Sequence, residues 1–177
     1  VKGLAKIDKV HYEEVKGYWI PVGYPWHILE ATEEMLEENE DISINGKLEE
    51  GVVIEGAVDV GEGTVVGKGT LLKGNIVLGQ NCQIGENCVL SGFTAIGKGC
   101  VLESGVELDN VIVGGGAVLA AECSVKDSVL GENACLSKGV RIENPIGKET
   151  VKVNSYDSGR ENLGIFVGDN VKVGKRD

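Results

Sequence analysis

Residues 60–90 read VGEGTVVGKGTLLKGNIVLGQNCQIGENCVL, and Val60, Val66, Leu72, Leu78, Ile84 and Leu90 place an aliphatic side chain at every sixth position. The spacing extends back through Ile54, Leu48 and Ile42 and forward through Ile96, Leu102 and Leu108. Neither the roughly 3.6-residue period of a helix nor the alternation of an ordinary strand produces such a pattern. A coil of short strands joined by tight turns does, with one aliphatic residue inward on each side and three sides per turn. Successive coils would stack at about 4.8 Å and pair their backbone groups up and down the stack. The sequence therefore predicts a mainly β protein, a parallel β-helix of hexapeptide repeats.

Working outward from this register, the residue after the aliphatic position is often Gly, as at Gly61, Gly67, Gly79, Gly85 and Gly97, which suits a sharp corner or a positive φ. Two residues before it stand mostly small or β-branched side chains, among them Val58, Thr64, Thr70, Cys82, Cys88, Thr94, Cys100 and Val106. These are expected to point inward, Cys acting as a compact hydrophobe in a narrow prism. The register continues through Val113, Leu119, Val125, Leu130, Leu136 and Ile142, two of its steps being five residues, and returns at Val167 and Val173. Residues 143–162 are then an excursion of a length usually functional in compact domains. Outward positions sort into three faces. One line is Val77, Ala95, Ile112 and Val129, and a second is Val65, Val101, Val118 and Cys135, interrupted by Gln83. The third runs Val53, Leu71, Val89, Glu107, Ser124 and Arg141. The first two are apolar and are expected to pack against other subunits.

Composition narrows the function classes. The 177 residues carry a formal charge of -11, which disfavours nucleic acid or an anionic membrane surface as partner. Residues 138–177 alone hold 8 basic and 6 acidic side chains, so a small anionic ligand is expected there. No apolar run reaches the roughly 18 residues needed to span a bilayer, and a cytoplasmic setting is the expectation. Five cysteines, an odd number, do not suggest a secreted disulfide scaffold. The six-residue spacing of Cys82 and Cys88 puts them on different faces, and no metal site is expected.

Residues 1–41 carry no hexad and form a separate unit from the coil domain, 42–177. Val10 to Val22 has strand-like content around Tyr18-Trp19-Ile20, and Pro25 fits the first turn of a helix running to about Asn39. That helix is expected to cap the first coil. His11 and His27 precede the coil and are expected at an exposed loop and a helix start.

The segment Gly17-Tyr18-Trp19-Ile20-Pro21-Val22-Gly23-Tyr24-Pro25-Trp26-His27-Ile28-Leu29-Glu30-Ala31 resembles the one that closes the catalytic domain of archaeal sugar-1-phosphate nucleotidylyltransferases. The resemblance covers essentially the whole chain. It implies a left-handed β-helix, often an amino-sugar N-acetyltransferase, and a homotrimer formed through it. Sugar phosphate, sugar nucleotide and acetyl-CoA are the ligands it implies. Two departures matter. The family's metal-holding Asp falls on Pro21, and in Ala121-Glu122-Cys123-Ser124 the catalytic His falls on Ala121 and a Tyr on Ser124. The family's Asn falls on Asn144, with Lys148 the nearest match for a loop lysine. The stretch from Gly159 to Lys172 resembles the return to the coil beside the acyl-CoA groove, which marks Gly164, Gly168 and Lys172 as cofactor-binding residues. Lys152, Arg160, Lys175 and Arg176 are further candidates for phosphate contacts. Acyl transfer to an amine needs a base. Glu122, beside the lost His, would serve if burial raised its pKa. Catalytic candidates are thus Glu122, Asn144 and Lys148, and assembly with ligand binding competes with acetyl transfer as the function.

Overall fold

The computed structural model describes residues 14, 16–38, 41–144 and 149–174. Among them, two parallel sheets of nine and seven strands wind into a coil, with one helix beside it. The register is the predicted one over most of its length. Leu48, Val66, Ile84 and Leu102 pair in sequence across four coils, followed by Leu119, Leu136 and Val173. The nine-stranded sheet wraps two faces of the prism, because the strands Leu71–Leu78 and Val89–Ile96 run through the corner between them.

Leu72, Leu78, Leu90, Leu102, Leu108, Leu119 and Leu130 are at most 1% exposed. Each such burial stabilises by about 1.5–3 kcal/mol, so the column of aliphatic residues is the principal favourable term. The start differs from expectation. Ile44, not Ile42, pairs with Val60, and Ile42 pairs with Val58 and is 59% exposed. Ile42 therefore stacks on the small slot at Val58 and not on the aliphatic column, since the stretch from Ile44 to Val60 is two residues shorter than that from Val60 to Leu78. The glycines after the aliphatic positions sit at corners, as one of the two expected causes requires, and the other cause is absent. Gly61, Gly67, Gly79, Gly85 and Gly97 are not at positive φ. At Gly67, for example, a Cβ would sit 2.7 Å from the Gly85 backbone, so close approach of stacked corners selects the residue.

The small inward slot carries polar chemistry that the periodicity did not announce. Thr64 Oγ1 donates to Gly79 O at 2.6 Å and Thr70 Oγ1 to Gly85 O at 3.0 Å. The thiols of Cys82, Cys100 and Cys123 donate in the same way to Gly97 O, Gly114 O and Ser137 O at 3.1–3.2 Å. Thr and Cys interchange because each supplies a compact donor to a buried corner carbonyl. Replacing Cys82 with Thr is accordingly expected to shift stability by less than about 1 kcal/mol, read from a thermal melt. Cys82→Ala, which strips the Gly97 carbonyl of that donor, is expected to cost about 1–2 kcal/mol. Burial pushes the Cys88 and Cys123 thiols up.

The helix Trp26–Glu37 does not cap the first coil. It lies along the stack against Leu71–Leu78, Val89–Ile96, Glu107–Val113 and Ser124–Leu130. Trp26 and Leu29 are buried with Leu163 over Ile112 and Val129. The first apolar line is thus covered by the chain's own helix, not left for another subunit, because a helix with only one buried stripe needs an apolar seat. Gly17 to Val22 is irregular, not a strand. The excursion leaves after Ile142 and rejoins at Phe166–Val167, where Val129 pairs with Phe166 and Leu130 with Val167. It carries an antiparallel pair, Lys152–Val153 with Tyr156–Asp157. Asn154 and Ser155, at φ 48° and 71°, form its turn.

Candidate functional site

The corner Ala121–Ser124 joins the strands Val118–Leu119 and Ser124–Leu130, and two grooves flank it. The larger, about 660 Å³, has a floor of Val65, Ile84 and Val101 and is edged by Glu49, Glu86, Glu103 and Ala121. Where the resemblance sets an imidazole, Ala121 offers a methyl group and its backbone N–H, which donates to Glu103 Oε2 at 2.9 Å. The smaller groove, about 290 Å³, is lined by Ser91, Glu107, Asp109, Ser124 and Lys126. Ser91 Oγ donates to Asp109 Oδ1 at 3.0 Å, and Lys126, the one cation of that lining, pairs with Glu143 at 3.2 Å. Both grooves are net acidic, a poor field for a phosphate or CoA.

Glu122 adopts φ 63° at this corner. Its side chain is 66% exposed and pairs with Lys138 Nζ at 3.1 Å. The burial expected of a general base is therefore not provided within the single chain. Asn144 is placed differently. Its Nδ2 donates at 2.7 Å to Oδ2 of Asp127, which is 4% exposed and accepts from Asn110 Nδ2 at 3.2 Å through the other oxygen. Asn110 Oδ1 in turn accepts from Phe93 N at 2.9 Å. Asn110, Asp127 and Asn144 recur every 17 residues, one per coil, so a polar column runs up this corner, buried at Asp127 and half-buried at both asparagines. Sequence reasoning named only its last member. The signal was present as polar residues spaced by the coil length.

Lys148, Lys175, Arg176 and His11 lie outside the described residues. Gly164 sits against the polar column: its N–H donates to Asp127 O at 2.8 Å, and a Cβ there would strike Lys126 O and Ser128 Oγ. Lys172 pairs with Cys135 in the seven-stranded sheet, with Gly168 at the preceding corner. Gly164 thus contacts Asp127, whereas Lys172 pairs in the last strand of the seven-stranded sheet. Arg160 is engaged within the chain, with Nη1 and Nη2 donating to Glu33 at 3.1 and 2.6 Å. His27 Nδ1 accepts from Gly23 N at 3.1 Å, the contact of a helix start. Among the described residues no three His, Cys, Asp or Glu side chains gather as for a metal ion, and no helix is long and apolar enough to cross a membrane.

Comparison with known proteins agrees with this architecture. The chain is 39% identical over 180 residues to the bifunctional protein GlmU of Methanocaldococcus jannaschii, covering 98% of this chain and 43% of that protein. It is 32% identical over 176 residues to the bifunctional sugar-1-phosphate nucleotidylyltransferase/acetyltransferase of Sulfurisphaera tokodaii, covering 97% and 44%. The chain thus spans less than half the length of these relatives. Among solved structures, the acetyltransferase domain of PglB from Neisseria gonorrhoeae superposes with a TM-score of 0.52 at 20% identity, covering 57% of this chain and 52% of that one. That likeness concerns the fold. The GMPPB C-terminal domain model matches residues 72–176, more than half of the chain, and the protein belongs to that family.

Proposed function

We propose that this chain is the C-terminal β-helix domain of a sugar-1-phosphate nucleotidylyltransferase, assembling the enzyme as a trimer and holding sugar-phosphate or acyl-CoA-like ligands without catalysing acyl transfer between them. The observation that carries the reading is the Ala121–Ser124 corner. It has neither the imidazole nor the phenol that the resemblance expects, and carboxylates line both adjoining grooves. An anionic ligand is better served by Arg141 and Lys172, exposed on the last coils. Nucleotidyl transfer belongs, on this reading, to parts of the relatives with which this chain does not align. Free thiols among the described residues fit a reducing, cytoplasmic setting.

The second reading, an active amino-sugar-1-phosphate N-acetyltransferase, is favoured by the bifunctional names of the relatives. Thiol release from acetyl-CoA with glucosamine 1-phosphate or galactosamine 1-phosphate separates the two. The expected result is no release above the protein-free rate with either sugar, and no difference for Glu122→Gln. Turnover that Glu122→Gln abolishes would establish the acetyltransferase instead.

A further inference from the structure

We propose that residues 149–163 form a strap that holds the helix Trp26–Glu37 against the coil, with Arg160 as its positioning residue and Asp127 as the link from Asn144 to the helix. The helix has little support of its own. Twelve residues are marginal in isolation, Pro25 gives it no side-chain cap, and only Trp26 and Leu29 are buried. The coil contributes Ile112, Val129 and a bond from Asn75 Nδ2 to Leu36 O at 2.5 Å, and the excursion adds the rest. Leu163 buries against Trp26 and Leu29, and Tyr156 meets Tyr24 with ring centroids 5.2 Å apart. Arg160, its side chain 15% exposed, grips Glu33 with two prongs. The strap is itself tied shut, since Val151 N donates to Arg160 O at 2.7 Å and Ser158 Oγ to Val151 O at 2.6 Å.

The link follows from the partners of one buried carboxylate. Asp127 Oδ2 accepts from Asn144, whereas Oδ1 accepts from Asn110 and faces Arg160 Nη2 at 3.7 Å. Asn144 Oδ1 and Arg160 Nε are both buried without a partner, so the arrangement around Asp127 is incompletely satisfied. A buried carboxylate that loses one donor must be compensated by another. Withdrawal of Asn144 therefore turns Asp127 toward Arg160 and draws the guanidinium off Glu33. An event at the start of the excursion reaches the helix through three side chains.

The experiment is amide hydrogen exchange on the full polypeptide, reading residues 26–37 with the coil strands 89–96 as internal control. Arg160→Ala is expected to speed helix exchange about tenfold while the coil stays unchanged, the loss of one charge-assisted contact. Arg160→Lys, which keeps the charge but not the two-pronged geometry, is expected to fall between. Glu33→Gln combined with Arg160→Gln should be no worse than either alone. Asn144→Ala, which does not touch the helix, is expected to speed its exchange two- to threefold, on the order of the coupling energies of neighbouring groups. Unchanged helix exchange in Arg160→Ala would overturn the strap. Unchanged exchange in Asn144→Ala with a response in Arg160→Ala would overturn the link alone.

Discussion

Gly74→Ala is expected to lower the melting temperature by roughly 10 °C. Gly74 holds φ at 115°, where side chains are strained, and a Cβ would strike Gly92 O with the Gly92 N only 3.0 Å away. Gly56, at φ 127°, stands in the same relation to Gly74, so three glycines stack up the corner where the long strands bend. The strain costs on the order of 1–3 kcal/mol and the overpacking a similar amount. Together they are about 3–5 kcal/mol, and each kcal/mol moves the midpoint of a chain this size by about 2–4 °C. Gly99→Asn is the contrast. Gly99 sits at φ 68° with nothing within 4 Å of a Cβ. Asn81 and Asn133 occupy corresponding corners at φ 56° and 53°, and Asn tolerates that region. Its expected change is within about 0.5 kcal/mol, and equal melting of the two variants would refute the distinction.

Legibility of the fold followed the range of the interaction. The inward column from Leu48 to Val173 could be read because a six-residue repeat is written wherever the coil is built. Ile42 misled because it continues the numerical spacing although the first coil closes on Ile44. The helix was visible from its apolar stripe, but its seat was not. Val77, Ala95, Ile112 and Val129 look as available as Val65, Val101, Val118 and Cys135, and only tertiary packing decides which line the chain covers itself. At the site, the substitutions at Ala121 and Ser124 were open to inspection because they sit in a contiguous motif. The clasp of Arg160 on Glu33 spans 127 residues and leaves no local trace. Asp127 was overlooked for a related reason: its partners Asn110 and Asn144 are remote along the chain and adjacent only once the coils stack.

On the proposed trimer, Val101→Asp together with Val118→Asp is expected to reduce the mass from three chains to one, measured by light scattering or sedimentation. The face is chosen by elimination and by its chemistry. One face is occupied by the helix, with Trp26, Leu29 and Leu163 packed over Ile112 and Val129. Another turns polar along its length, from Val89 to Glu107, Ser124 and Arg141 in register. The remaining face carries Val65, Val101, Val118 and Cys135, each half-buried, with Gln83 exposed among them on adjacent strands. An apolar stripe of this kind left in water is unfavourable, and a closed ring of copies presenting it to one another removes it. Two carboxylates per chain brought together by such an interface would be desolvated without a partner, a cost of several kcal/mol per site. In a single chain the same side chains project into solvent, so the melt is expected to retain its cooperativity and the coil its circular-dichroism spectrum. An unaltered mass for the double variant would show that the copies meet elsewhere, and a wild-type protein that runs at the mass of one chain would remove the assembly role altogether.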